Sequence, residues 1–193
     1  DDLAATFSGG SMTFIKKLTA SASGTLDFLN GTSDVVFDDT YKEYLFTFKN
    51  IHPSGDGSDG VFKFQVDTGT NTSYNIACTS TYFIAYQAEG DGTDVSLAYS
   101  AGGDQAQGTA FQYIGSGDTD NDSGISGHLK IFNPASSTFV KHFMGQTVNN
   151  PSSYSQAEHF AGYFNTTTAL TRVQFKMASG NIDAGDICLY GIN

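Results

Sequence analysis

The sequence predicts an all-β protein: an antiparallel β-sandwich, jelly-roll-like, built from about ten short strands. Three observations predict it. Apolar residues recur with a period of two in short runs separated by clusters of Gly, Asp, Asn, Ser and Thr. No run of ten residues carries the 3.6-residue period of an amphipathic helix. The 20 acidic residues are nearly all Asp, a turn former, and the helix former Glu occurs only at Glu43, Glu89 and Glu158. Strand runs spaced by about 8 to 15 residues, with 22 Gly and only 3 Pro, suit a sandwich rather than alternating β and α units.

Taken in order, residues 1–11 show no periodicity and read as an N-terminal extension or docking arm, with one sandwich domain over 12–193. The period of two begins at Thr13. Strands are expected at Leu26 to Leu29 and Val35 to Phe37. Next come Tyr44, Phe46 and Phe48, which alternate with Leu45, Thr47 and Lys49, and then Phe62, Phe64 and Val66. Further runs are Ile76 to Tyr86, Val95 to Tyr99, Ala110 to Ile114, Ile125 to Phe132, Phe139 to Met144 and His159 to Phe164. Val173, Phe175 and Met177, then Ile187 and Leu189, close the series. The run from residue 76 is continuous rather than alternating, so it reads either as a strand buried on both faces or as a helical turn.

Nine basic residues against 20 acidic ones give a net charge of -11, which excludes a phosphate-binding surface and any nucleic-acid partner. No stretch approaches 18 consecutive apolar residues, so no membrane insertion is expected. Cys78 and Cys188 each sit in an apolar run, the usual setting of a free thiol more than of a disulfide.

Candidate sites are few. Asp118, Asp120 and Asp122 recur at alternate positions, as oxygen ligands do in calcium loops. The Gly falls one place late, at Gly124, and Leu129 stands where a bidentate Glu is needed. A solvated acidic turn is the first reading and a calcium site the alternative; no other cofactor is expected. Gly55 to Gly60 matches a dinucleotide fingerprint in letters only, because a strand pattern follows it where a helix is required. The histidines, His52, His128, His142 and His159, show no metal-ligand spacing, although pairing of their strands could make His128 and His142 neighbours. No nucleophile elbow is present, so the chain is not expected to be an enzyme. Tyr82, Tyr86, Tyr99 and Tyr113 are candidate stacking platforms for a sugar, as in lectin-like sandwiches, although Trp, the usual platform, is absent.

Four segments carry a family resemblance. They are Phe14-Ile-Lys-Lys-Leu-Thr-Ala-Ser, the stretch from Tyr41-Lys-Glu-Tyr to Ile-His-Pro53, Ile131-Phe-Asn-Pro-Ala-Ser-Ser-Thr-Phe-Val-Lys141, and, within Leu170 to Asn193, Ser179-Gly-Asn-Ile-Asp-Ala-Gly-Asp-Ile followed by Cys-Leu-Tyr-Gly-Ile192, and the similarity spans residues 12–193. Together they resemble small β-rich virion structural proteins of marine tailed phages, such as cyanophages and pelagiphages. That resemblance implies a non-enzymatic component of the particle's external surface: capsid decoration, tail or fibre. Its expected partners are other virion proteins and copies of itself, a trimer foremost, with a host-surface glycan as a further one. Leu3, Phe7 and Phe14 are the apolar residues expected to dock. The alternative is a carbohydrate-binding sandwich module.

Overall fold

The computed structural model describes residues 11–90, 92–151 and 153–193, and among them every regular element is a strand. In chain order these are β1 (Met12–Thr19), β2 (Leu26–Leu29), β3 (Glu43–Pro53), β4 (Val61–Thr68), β5 (Cys78–Ala88), β6 (Val95–Tyr99), β7 (Gln105–Gly108), β8 (Gln112–Ser116), β9 (Ile125–Phe132), β10 (Lys141–Asn149), β11 (Tyr154–Phe164), β12 (Leu170–Met177) and β13 (Ile182–Ile192). All pairings are antiparallel. A large sheet runs β1-β13-β3-β9-β10-β11-β5-β6, with β7 joining β5 beside β6; a small sheet runs β2-β12-β4-β8. The chain is therefore a β-sandwich, and thirteen strands replace the ten or so expected.

Two apolar sheet faces bury each other, and here aromatic rings fill the space between them. Phe175 of β12 is the hub: its ring lies 5.3 to 6.2 Å from those of Phe28, Phe46, Phe48, Phe62 and Phe64. Phe64 carries the layer onward to Phe143 and Phe164. These rings are fully or almost fully buried. Close approach within the large sheet needs a missing side chain at Gly145, where a Cβ would run into the Phe160 ring on the neighbouring strand.

Four strands cover fewer than nine. Among the described residues no second layer covers the outer face of the large sheet, and one cross-strand row traverses it completely: Tyr99, Phe83, His159, Gln146, His128, Thr47, Cys188 and Lys17.

Three expectations are corrected. Val35 to Phe37 is buried but is not a strand. Positive φ at Gly31, Ser33 and Asp34 turns the chain, and the Phe37 N–H goes to Asn30 Oδ1 at 2.8 Å instead of to a ladder. The continuous run at residue 76 is a strand with one face inward and one bare, neither buried on both sides nor helical: Tyr82 is buried while Phe83 is 40% exposed. His128 and His142 share the outer face but lie two rows apart, opposite Gln146 and Tyr163 respectively. The cysteines are both free, Cys78 facing the core and Cys188 the outer surface.

Truncating the hub removes five ring contacts at once. Phe175→Ala is expected to lower the unfolding free energy by about 3–5 kcal/mol, measured by urea denaturation. A loss comparable to that of an exposed Phe139→Ala control would show that the ring layer does not hold the sheets together.

Candidate functional site

Three regions gather the chemistry-bearing residues. The first is the loop end where the β8–β9 connection meets the β3–β4 connection. Here Asp56 Oδ1 accepts from the backbone N–H and the hydroxyl of Thr119, at 2.7 and 2.6 Å, and Asp118 Oδ1 accepts from the Asp120 N–H at 2.7 Å. Asx turns of this kind are what Asp clusters build when the chain must reverse. His52 Nε2 meets the Asp120 carbonyl at 3.2 Å, and Asn150 Oδ1 accepts from the Gly124 N–H at 3.0 Å. Two open grooves flank the loop, of about 460 Å3 beside His52 and Asp122 and about 360 Å3 beside Asp56 and Asp118. Among the described residues no three Asp, Glu, His or Cys side chains converge as a metal cage, and Asp118, Asp120 and Asp122 are placed along a turn rather than around a point.

The second region holds the tyrosines. Tyr82 is a core residue, not a surface platform: it is 2% exposed and stacks on Phe160. Tyr113 lies beyond it, 6.4 Å from the Tyr82 ring and under the Lys63 ammonium at 4.3 Å. Tyr86 and Tyr99 both border one groove but belong to opposite faces. Past the edge strand β8 of the small sheet, the inner face of β6 and of the second half of β5 is uncovered, and a groove of about 280 Å3 there is lined by Tyr86 with Ile84, Ala98 and Gln156 and also by Tyr99, which the register turns to the outer face beside Phe83. The Tyr99 hydroxyl donates to Asp104 Oδ2 at 2.5 Å, and Tyr86 meets the Tyr154 ring edge-on.

The third region was not foreseen from the sequence: the outer face of the large sheet. Met12, Phe14, Phe83, Val95, Leu97, Tyr99, Met144 and Val148 are all exposed, by 40% to 73%, and the register puts all of them on this face. Its two halves differ. The β1-β13-β3-β9 half carries Lys17 paired with Asp186 at 3.4 Å and Lys130 paired with Glu43 at 2.9 Å. The β10-β11-β5-β6 half carries no Asp, Glu, Lys or Arg at its outward positions. Of the expected docking residues, Phe14 is exposed at the charged end and packs edge-on against Tyr190, while Leu3 and Phe7 lie outside the described residues.

Where β8 runs out beneath β10 and β11, the interior turns polar. Glu158 is fully buried, and its Oε1 accepts from the Ser116 N–H at 3.0 Å, Asn149 Nδ2 at 2.9 Å and Gln156 Nε2 at 2.5 Å. Its Oε2 is buried with no partner. Burial outweighs the Ser116 N–H and pushes this carboxyl up to about 8, so it stays neutral in the fold. Lys141, also fully buried, is held by the carbonyls of Ser136 and Phe139 at 2.6 and 2.9 Å, and burial lowers its affinity for the proton. It clamps the β9–β10 connection. Both groups are tied into structure rather than presented to a ligand. Burial likewise pushes the Cys78 thiol up to about 12, leaving it an inert core group.

The Glu158 proton gives the fold a pH dependence of definite sign. The unfolded chain loses this proton near 4.5 and the folded chain near 8, so the stabilisation is whole below 4.5 and is lost progressively as pH rises from 4.5 to 8. Glu158→Gln cannot ionise. Its unfolding free energy is expected to gain on the wild type by on the order of 1 kcal/mol per pH unit across that window, read from urea melts at pH 5 and 8. Parallel pH profiles for the two proteins would contradict this account. Compared with known proteins, the chain matches no family model and no curated protein sequence.

Proposed function

We propose that the chain is a non-enzymatic structural protein of a tailed-phage particle, carried on its exterior as capsid decoration, tail or fibre component and acting through protein–protein assembly. The observation that supports this best is the bare outer face of the large sheet, which gathers eight exposed large apolar residues on one side of the molecule. Apolar patches of that kind mark interaction surfaces. The net charge of -11 favours an external position, since it repels packaged nucleic acid. The low charge density, with 15% charged residues, suits assembly in a saline medium, where exposed ion pairs contribute little.

A second reading, carbohydrate recognition, is favoured by one feature, the groove lined by Tyr86 and Tyr99, where Tyr86 stands beside Gln156. An aromatic side chain with an adjacent amide is a sugar-binding chemistry. In this reading a host-surface glycan is the partner, and the protein belongs to an adsorption structure.

Immunogold imaging of purified particles, with mass spectrometry of the same preparation, tests the main reading. The expected result is label on the particle exterior. Absence of the protein from particles, together with saturable glycan binding abolished by Tyr86→Ala, would replace assembly with the lectin reading.

A further inference from the structure

The uncharged half of the outer face has a particular fit, and we propose that its occupant is a second copy of this chain, packed sheet face against sheet face about a two-fold axis. The inference rests on the reading of that face as an assembly surface and names its partner.

Three features select a second copy. The first is charge. A molecule of net charge -11 meets its own copy against a general repulsion, and contact is least opposed where no carboxylate lies. The outward positions of β10, β11, β5 and β6 offer such a surface: they hold only apolar, hydroxyl, amide and imidazole side chains, in contrast to the adjoining half with its Lys17–Asp186 and Lys130–Glu43 pairs. The second is relief. In one cross-strand row Ala85 and Ala157 leave a shallow strip across β5 and β11, bounded by Leu97 on β6 and Val148 on β10, and in the next row the stacked rings of Phe83 and His159, 4.7 Å apart, stand up as a ridge. A two-fold axis lying across the strands, midway between strip and ridge, seats the ring ridge of each copy in the alanine strip of the other and keeps all four strands in the contact, so one surface is complementary to itself. The third is size. Four strands at about 4.8 Å spacing and about 3.3 Å per residue give a footprint of about 500 Å2 per copy, below the roughly 800 Å2 per partner of a standard interface but within the range of weaker specific pairs.

A face that meets itself closes at two copies. The three-fold ring expected from the sequence would therefore need a different surface.

Sedimentation equilibrium and native mass spectrometry of the whole chain at micromolar concentrations read the result directly. The wild type is expected as a dimer in equilibrium with monomer. Leu97→Asp, at a position 73% exposed on a short edge strand, is expected to give a folded monomer by circular dichroism, as is Ala157→Glu in the strip. Phe139→Asp, exposed but off this face, should leave the dimer intact. A wild type that stays monomeric throughout overturns the proposal, and so does a dimer indifferent to both Leu97→Asp and Ala157→Glu. A monomer that dimerises only after removal of residues 1–10 also overturns it, by giving the face to the chain's own arm. Particle incorporation separates the two levels: a monomeric wild type whose Leu97→Asp variant fails to enter particles leaves the assembly reading standing with another virion protein as partner. A Leu97-dependent dimer absent from particles leaves the pairing standing and removes the virion role.

Discussion

The aromatic layer between the sheets sets the limits of everything else in this molecule. Rings from β2, β3 and β4 converge on Phe175 of β12, and offset-stacked and edge-to-face ring pairs contribute about 0.5–1.5 kcal/mol each beyond the area they bury. The small sheet exists to supply half of that layer. Its four strands reach from β2 to β8, and where β8 ends the two-layered structure ends with it. Beyond it β6 and the second half of β5 stand as a single layer, while Cys78, Ser80 and Tyr82 at the start of β5 are still buried at the sandwich end.

Along that boundary the interior shifts from rings to amides. Gln65, Gln112, Thr147, Asn149 and Glu158 are all buried, and their partners are largely backbone groups of β8 and of the loops beside it. Gln112 bonds the Gly103 carbonyl at 2.8 Å and takes the Ser80 hydroxyl at 2.6 Å, so it ties the loop after β6 to the inner face of β5. A buried amide of this kind stabilises one loop arrangement over others, because the alternative leaves a desolvated donor or acceptor unpaired. The overhanging strands are thereby kept in register without a second layer beneath them.

Period-two runs made most strands legible in the sequence, because the inner face of nearly every strand is apolar and the intervening turns are rich in Asp and Gly. Strand β7, Gln105–Gly108, was not legible, since its four residues carry no apolar alternation and pair with β5 mainly by position. Val35 to Phe37 misled for the opposite reason: apolar burial occurs there without a ladder. The outer face left one trace. The unbroken apolar run Tyr82-Phe83-Ile84-Ala85-Tyr86 departs from alternation because its outward residues belong to an apolar surface too, and only the strand order shows that this surface has nothing over it. Burial of Glu158 could not be read at all, because it depends on β8 passing beneath β11, a contact between residues far apart in the chain.

The position of β13 bears on synthesis. Residues 182–192 form an interior strand of the large sheet, inserted between β1 and β3, which are therefore never paired with each other. Until this segment leaves the ribosome, β1 has no neighbour and β3 presents an open edge, the situation that invites pairing between nascent chains. Completion of the large sheet thus waits for residues 182–192, and a chain terminated before them would expose the unsatisfied edges of β1 and β3 and mark itself for aggregation or degradation.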